Sequence, residues 1–314
     1  MRAVRPADAG VVVADAPDPG GPGETVEVVA SGICGSDLHL LELGPGTVTL
    51  GHEFAGRLED GTPVAVDPSA PCGTCDQCRA GAQHRCRTSA ATTLGVAVDG
   101  GMAERVRVRA GALVALPAGL DVADACLVEP LGVAVHGIRI AAAGAESRVA
   151  VVGGGSIGLA AVAAARGAGC ADVALAARHP HQRAAGERLG AHDLGDGDGE
   201  YDIVVEAAGT EAALAEAAAR CRPGGQVVFL STHWTPVAIP GIPALMKELV
   251  FRWSYTYGSH AGGRDLDDAA ALLARDPEIA ATLVTHRFPL DEAPEAFRVA
   301  ADRASGAIKV VLEP

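Results

Sequence analysis

The chain has 314 residues, beyond the roughly 250–300 at which a single hydrophobic core stops growing, so two structural units are expected. Its 49% hydrophobic and 20% charged residues exclude a disordered chain, and a formal net charge of −14 excludes non-specific attraction to nucleic acid or to an anionic membrane. The opening MRAVRPADAG has no apolar stretch of signal-peptide length, and no apolar run approaches the roughly 18 residues of a membrane span, so a cytoplasmic chain is expected.

Residues 1–115 carry short β-branched runs, ETVEVVA, TPVAVD and AERVRVRA, separated by Pro-Gly, Gly-Gly and Asp-Gly turns, which predicts a small barrel or sandwich of strands. From about 148 the pattern becomes apolar strand, glycine turn and Ala-rich helix. RVAVVGGG precedes SIGLAAVAAARGAG, VALAAR precedes HPHQRAAGERLGA, DIVVEAAG precedes TEAALAEAAARC, and QVVFLS follows. Strands alternating with helices predict a parallel sheet. Beyond Ser231 come a Pro-rich stretch, the apolar LVFRWSYTYGS, a helix over 265–275, a THRFPL strand and the amphipathic helix EAPEAFRVAADR. With no internal repeat or low-complexity linker, the units are expected to pack together around a cleft.

Three motifs carry chemistry. CGTCDQCRAGAQHRC places Cys72, Cys75, Cys78 and Cys86 in one loop, enough soft ligands to close a tetrahedral shell around a structural zinc. A disulfide pair or a redox CxxC is the competing reading, and the acidic chain with only Arg79, Arg85 and Arg87 nearby argues against a nucleic-acid zinc finger.

Cys34 in SGICGSDLH, His52 and Glu53 in GHEFAG and Glu129 in LVEPLG supply a thiolate, an imidazole and carboxylates, the ligand types of a zinc that keeps one position open for chemistry. Adjacent residues on extended chain face opposite ways, so His52 and Glu53 can share one shell only if the backbone turns there. Each residue alone also reads as ordinary: a buried thiol, a core histidine, a helix N-terminal acid. Their joint occurrence beside the four cysteines favours the metal.

Gly153-x-Gly155-x-x-Gly158 follows the apolar run RVAVV and opens a helix, the setting in which glycines let a pyrophosphate approach the helix N-terminus. Ser156 and Ile157 lie within that turn, and Ser231 at the end of a later strand is a further cofactor-binding candidate. Where NAD-binding proteins carry an acid for the ribose, this chain has Ala177, Arg178 and His179, with Arg183 beyond. An arginine would pair with the 2′-phosphate of NADP, so NADP is favoured; if Arg178 is only a solvated charge, NAD serves.

On CGSDLH, GHEFAG, the cysteine lobe, GGMAERV, EPLGVAVHG, the glycine fingerprint, RPGGQVVFLS and GAIKVVLEP, the chain resembles the zinc-dependent medium-chain alcohol dehydrogenases, in the branch with sorbitol and threonine dehydrogenases. The resemblance implies an α/β chain with a GroES-like β-barrel catalytic domain over 1–129 and 284–314 and a Rossmann doubly wound parallel-sheet domain over 130–283. It implies a catalytic zinc on Cys34, His52 and a glutamate, Glu53 or Glu129, a structural zinc on the cysteine lobe, and a proton relay through Ser36 and His39. The activity implied is hydride transfer between a nicotinamide cofactor and a secondary alcohol or polyol, or its ketone.

Two departures stand out: the connection between His39 and His52 and the segment GRLEDGTPVAVD are both short, which predicts an open substrate pocket, and Arg178 departs from NAD-using polyol enzymes. LVFRWSYTYGS resembles an edge strand that pairs subunits, so a homodimer or homotetramer is expected. The competing functions are a zinc-free enoyl or quinone reductase, which would not need these ligands together, and a non-catalytic zinc- and nucleotide-binding protein.

Overall fold

The computed structural model describes residues 1–314 except 9, 45, 198 and 303, so the last residue of the expected EAPEAFRVAADR helix lies outside the described residues. The chain forms two compact units, Met1–Glu129 with Gly258–Pro314, and Pro130–Tyr257. The return to the first unit falls at Gly258, well before the expected 284. Packing explains the difference. Helix Asp265–Arg275 buries Leu266, Ala269, Leu272 and Leu273 and lies against strand Leu113–Ala115, and Arg264 donates to the Leu113 carbonyl at 3.0 Å.

The first unit is built on a seven-stranded mixed sheet. Its path runs Val284–Pro289, Lys309–Glu313, Glu24–Gly32, Glu53–Arg57, Pro63–Val66, Leu113–Ala115, with Arg105–Val108 also paired to Glu24–Gly32. All pairings are antiparallel except Val284–Pro289 with Lys309–Glu313. The long strand Glu24–Gly32 is shared. Its first half pairs with Arg105–Val108, and its end lies between Glu53 and Leu312. Inward-facing Val26, Val28, Phe54, Val64, Val66, Val106 and Val108 form one core; Val4, Leu50, Met102, Leu290, Phe297, Val310 and Leu312 form another. The few aromatic residues leave these cores to β-branched side chains, which suit a pleated surface.

The second unit carries six parallel strands in the order His192–Asp193, Asp172–Ala176, Arg148–Val152, Tyr201–Glu206, Cys221–Phe229, Val250–Trp253. Chain order thus reverses between Arg148–Val152 and Tyr201–Glu206, the switch point at which doubly wound sheets bind ligands. Helix Ser156–Gly167 buries Leu159 through Ala165. Its run of alanines lets the helix lie close to the sheet without displacing strand side chains. Ala150, Val152, Val204, Leu214, Val227 and Phe229 fill the core, and truncating Leu214 or Phe229 to alanine would cost about 2–5 kcal/mol. Among the described residues no helix is long and apolar enough to cross a membrane.

Candidate functional site

Cys34 is the N-cap of helix Gly35–Glu42, reached directly from strand Glu24–Gly32. Asp37 in the first helical turn is fully buried and accepts the Cys34 backbone N–H through Oδ2 at 3.0 Å, which fixes the thiol at the helix entrance. The other Asp37 oxygen lies 3.4 Å from His52 Nδ1, and Ser36 Oγ lies 3.2 Å from His52 Nε2. Asp37 thus orients the imidazole from behind, as a carboxylate does for a metal-binding histidine.

The backbone bends at His52, just after Gly51 and just before strand Glu53–Arg57. Gly51 has φ +98°, and a Cβ there would meet the Met102 backbone nitrogen at 2.6 Å, so only glycine brings the chain through this bend into strand Glu53–Arg57. The result is a compact donor set: the ligand atoms of Cys34, His52 and Glu53 all lie within 4.8 Å of one another.

Glu53 is held by Lys309, a residue that sequence reading did not single out. Lys309 is 1% exposed, and its Nζ donates to Glu53 Oε2 at 2.5 Å and to the Ile33 carbonyl at 3.1 Å. Burial alone would lower its pKa; the Glu53 and Cys34 charges outweigh burial and raise it, so the ammonium stays charged. Burial likewise opposes a proton on His52, yet the charges of Asp37 and Cys34 hold its pKa well above the usual imidazole value.

These residues fit a zinc ion. A pocket that favours positive charge on a buried imidazole suits a cation. Asp37 Oδ1 and His52 Nδ1 face each other at 3.4 Å, whereas Glu53 Oε1 is buried without a hydrogen-bond partner among the described residues. Such an atom costs about 1–3 kcal/mol unless something completes it. Glu129 stands apart. It is buried, and burial followed by the Glu53 charge pushes its pKa up to about 8, with His52 and Lys309 pulling the other way. It senses the site electrostatically but does not join the three converging ligand atoms. His39, on the same helix as Ser36, lies 3.2 Å from Glu42 with its side chain 45% exposed.

The four cysteines converge equally tightly, all sulfurs within 4.8 Å and Cys72 Sγ 4.0 Å from Cys78 Sγ, against the roughly 3.8 Å edge of a tetrahedral zinc–thiolate shell. Backbone N–H groups of Thr74 and Cys75 point at Cys72 Sγ at 3.4 and 3.3 Å, and that of Cys72 points at Cys86 Sγ at 3.2 Å. The Thr74 hydroxyl and these N–H groups lower Cys72 to about 5, and the Thr88 hydroxyl leads in lowering Cys86 to about 7. Burial pushes Cys78 up to about 12. Four thiols packed together cannot all ionise without a cation, and two are already drawn toward ionisation. The loop fits zinc.

His260, Asp265 and Asp268 also cluster. There Nδ1 of His260 accepts the Gly262 N–H at 3.1 Å, so Nε2 carries the proton and donates to Asp268 at 2.8 Å, leaving no lone pair for a metal.

In the second unit, Gly153 follows strand Arg148–Val152 with φ +118°, and Gly155 caps helix Ser156–Gly167, where Ser156 and Ile157 begin the first turn. A Cβ on Gly158 would meet the Gly153 carbonyl oxygen at 1.7 Å, and one on Gly154 the Ala177 Cβ at 2.6 Å. The loop is folded as tightly as a pyrophosphate cradle requires. Arg178 is exposed after strand Asp172–Ala176, and no hydrogen bond holds its guanidinium among the described residues. His179 caps the next helix, Pro180–Arg188, and Arg183 braces the connection by donating to the Ala177 and Arg178 carbonyls at 2.9 and 3.1 Å. The Ser231 hydroxyl is donated to the buried carboxylate of Glu206.

Residues 21–118 match the alcohol dehydrogenase GroES-like domain, and residues 122–313 match the glucose dehydrogenase C-terminus family. The D-altritol 5-dehydrogenase of Agrobacterium fabrum is 33% identical over 89% of this chain and 88% of its own length. The sorbitol dehydrogenase of Bacillus subtilis is 27% identical over 92% and 90%. Among solved structures, a protein assigned as a zinc-binding dehydrogenase from Sinorhizobium meliloti, bound to NADP, superposes with a TM-score of 0.88 at 33% identity, covering 100% of this chain and 99% of that one. The chain belongs to the zinc-dependent medium-chain alcohol dehydrogenase superfamily and is an oxidoreductase with GroES-like and Rossmann folds.

Proposed function

We propose that the protein transfers a hydride between a polyol, or a similar secondary alcohol, and a nicotinamide cofactor, with NADP favoured over NAD. The observation that carries this reading is the convergence of Cys34, His52 and Glu53 within 4.8 Å, with the Ser36 hydroxyl 3.2 Å from His52. Cys34, His52 and Glu53 would hold the catalytic zinc, with Glu129 as a nearby reserve carboxylate, and Cys72, Cys75, Cys78 and Cys86 the structural one. When bound, the catalytic zinc supplies a Lewis acid that eases loss of the substrate hydroxyl proton.

Asp37 keeps His52 in one orientation, and Lys309 pairs with Glu53 in a dry pocket. Ser36 Oγ accepts the substrate's hydroxyl proton as it gives up its own toward His39, which is partly exposed and passes a proton to solvent. Gly153, Gly155, Ser156, Ile157 and Gly158 receive the pyrophosphate at the helix N-terminus, while Arg178 and His179, braced by Arg183, face the 2′-phosphate. An NADP-bound relative and relatives named for altritol, sorbitol and L-idonate support this assignment of cofactor and substrate class.

The catalytic domain on this reading comprises the first unit and the cofactor domain the second. Strand Val250–Trp253 ends its sheet with Val250, Trp253 and Tyr255 exposed, which supports a homodimer or homotetramer assembled along that edge. A four-thiol zinc loop suits the reducing cytoplasm. The test is turnover of a panel of polyols, simple alcohols and amino alcohols by zinc-loaded protein with NADP and NAD in parallel. Polyol-dependent reduction of NADP is expected; no reduction of either cofactor by any alcohol at full zinc occupancy would overturn the reading.

A further inference from the structure

Away from the metal ligands, the second unit buries a second polar cluster. Glu206 ends strand Tyr201–Glu206 and is fully buried. Its Oε1 accepts the backbone N–H groups of Ala208 and Gly209 at 2.9 and 2.8 Å, and its Oε2 accepts the Ser231 hydroxyl. The Nε2 of His233 lies 3.2 Å from Ser231 Oγ and 3.4 Å from Glu206 Oε2. The His233 side chain is 7% exposed, and its ring meets Phe229 and Trp253 edge-on, each at 5.8 Å between centroids.

The cluster stands beside the glycine loop. A Cβ on Gly153 would meet the Ala207 carbonyl carbon and the Ala208 nitrogen, each at 2.9 Å, so the turn that Glu206 fixes packs directly on the fingerprint. Position in the sheet then decides which part of a dinucleotide it serves. The adenosine half lies over the strands following the first βα turn, and the nicotinamide half lies over the strands beyond the switch point. Glu206 and Ser231 sit at the C-terminal ends of two strands on that far side.

The chemistry of the cluster sets a tautomer. A carboxylate only accepts, so the Ser231 proton is committed to Glu206, and His233 must donate from Nε2. In the neutral ring Nδ1 is then the acceptor, and it makes no hydrogen bond among the described residues. Nicotinamide carries a carboxamide whose NH2 is a donor. We propose that His233 reads the nicotinamide carboxamide, accepting its NH2 at Nδ1, and that Glu206 and Ser231 are positioning residues that set the imidazole's tautomer and place. This rests on the dinucleotide reading above and adds a recognition residue to it.

The test compares equilibrium binding of NADP and of its 3-acetylpyridine analogue, in which a methyl replaces the NH2, by isothermal titration calorimetry of zinc-loaded protein. Wild type, His233→Ala, His233→Asn and Ser231→Ala are compared. The expected result is that wild type prefers NADP by roughly three- to tenfold, the range of one hydrogen bond. His233→Ala abolishes that preference by weakening NADP alone, and His233→Asn, which places an amide oxygen near Nδ1, restores part of it. Ser231→Ala shifts the ratio in the same direction by less. An identical ratio in wild type and His233→Ala overturns this inference while leaving the dinucleotide site intact. Failure of the wild type to bind either dinucleotide overturns both readings.

Discussion

Lys309 Nζ lies 2.5 Å from Glu53 Oε2, both side chains 1% exposed, so the carboxylate beside the candidate zinc site is neutralised by a buried ammonium. Gly32 makes room for the pair, since a Cβ there would meet Glu53 Oε2 at 2.4 Å. Lys309→Met leaves Glu53 buried and unpaired, and a loss of about 3–5 kcal/mol is expected in urea unfolding. The double variant Lys309→Met with Glu53→Gln should recover part of that loss, because it removes the stranded charge. Equal destabilisation in single and double variants would show that the pair itself is not what the lysine stabilises.

Metal content gives a separate check. Wild-type protein should hold two zinc ions per chain, and Cys75→Ser should hold one, with a lower Tm and with the remaining zinc still on the Cys34 site. Structural zinc contributes folding energy directly. Metal analysis showing both ions retained would place the second zinc elsewhere than the cysteine loop.

Arg178 sets cofactor choice on the reading above. Arg178→Ala should raise KM for NADP by roughly 10- to 100-fold, the range of charge-assisted hydrogen bonds to phosphate, with KM for NAD little changed. A parallel rise for both cofactors would mean that the guanidinium supports the loop and not the 2′-phosphate.

The exposed pair His192–Asp172, 2.9 Å apart, predicts a small pH effect on stability. The hydrogen bond to Asp172 is the main cause raising His192 above its ordinary value, and Arg148 leads in lowering Asp172. The stabilisation from His192 is thus fully present below about pH 6.5, the unfolded value, and is lost as pH rises through the raised folded value. With side chains 57% and 35% exposed, less than about 1 kcal/mol is expected. His192→Gln should flatten that part of the stability profile between pH 6 and 9, and an unchanged slope would assign it to another group.

Local chemistry was legible in the sequence, and distant partnerships were not. CGTCDQCRAGAQHRC names four thiols on one short loop, where spacing alone keeps the sulfurs near each other. The glycine fingerprint and the helix over 265–275 likewise follow from turns and periodicity within a few residues. GHEFAG left open how adjacent residues could share a site, and the answer lies in the bend at His52, next to the left-handed Gly51, whose need for glycine comes from Met102 across the fold. Lys309, Glu206 and His233 gave no signal because a single polar residue in an apolar strand or loop has no period to betray its partner. Glu129 illustrates the converse: motif membership says what a side chain can do but not whether it joins the cluster of Cys34, His52 and Glu53. The boundary at Gly258 escaped because the leucine face of helix Asp265–Arg275 does not name the distant strand, Leu113–Ala115, on which it packs.

The Lys309–Glu53 pair also orders events during synthesis. Lys309 is translated 256 positions after Glu53, with all of Pro130–Tyr257 made in between. The four-cysteine loop can capture its metal as soon as it emerges, because its ligands are neighbours. The pocket at Cys34 and His52 has to wait for a strand made hundreds of residues later, and until then Glu53 is an acid without its counter-charge. Assembly of this enzyme thus begins with a local, metal-organised loop and finishes with a distant strand.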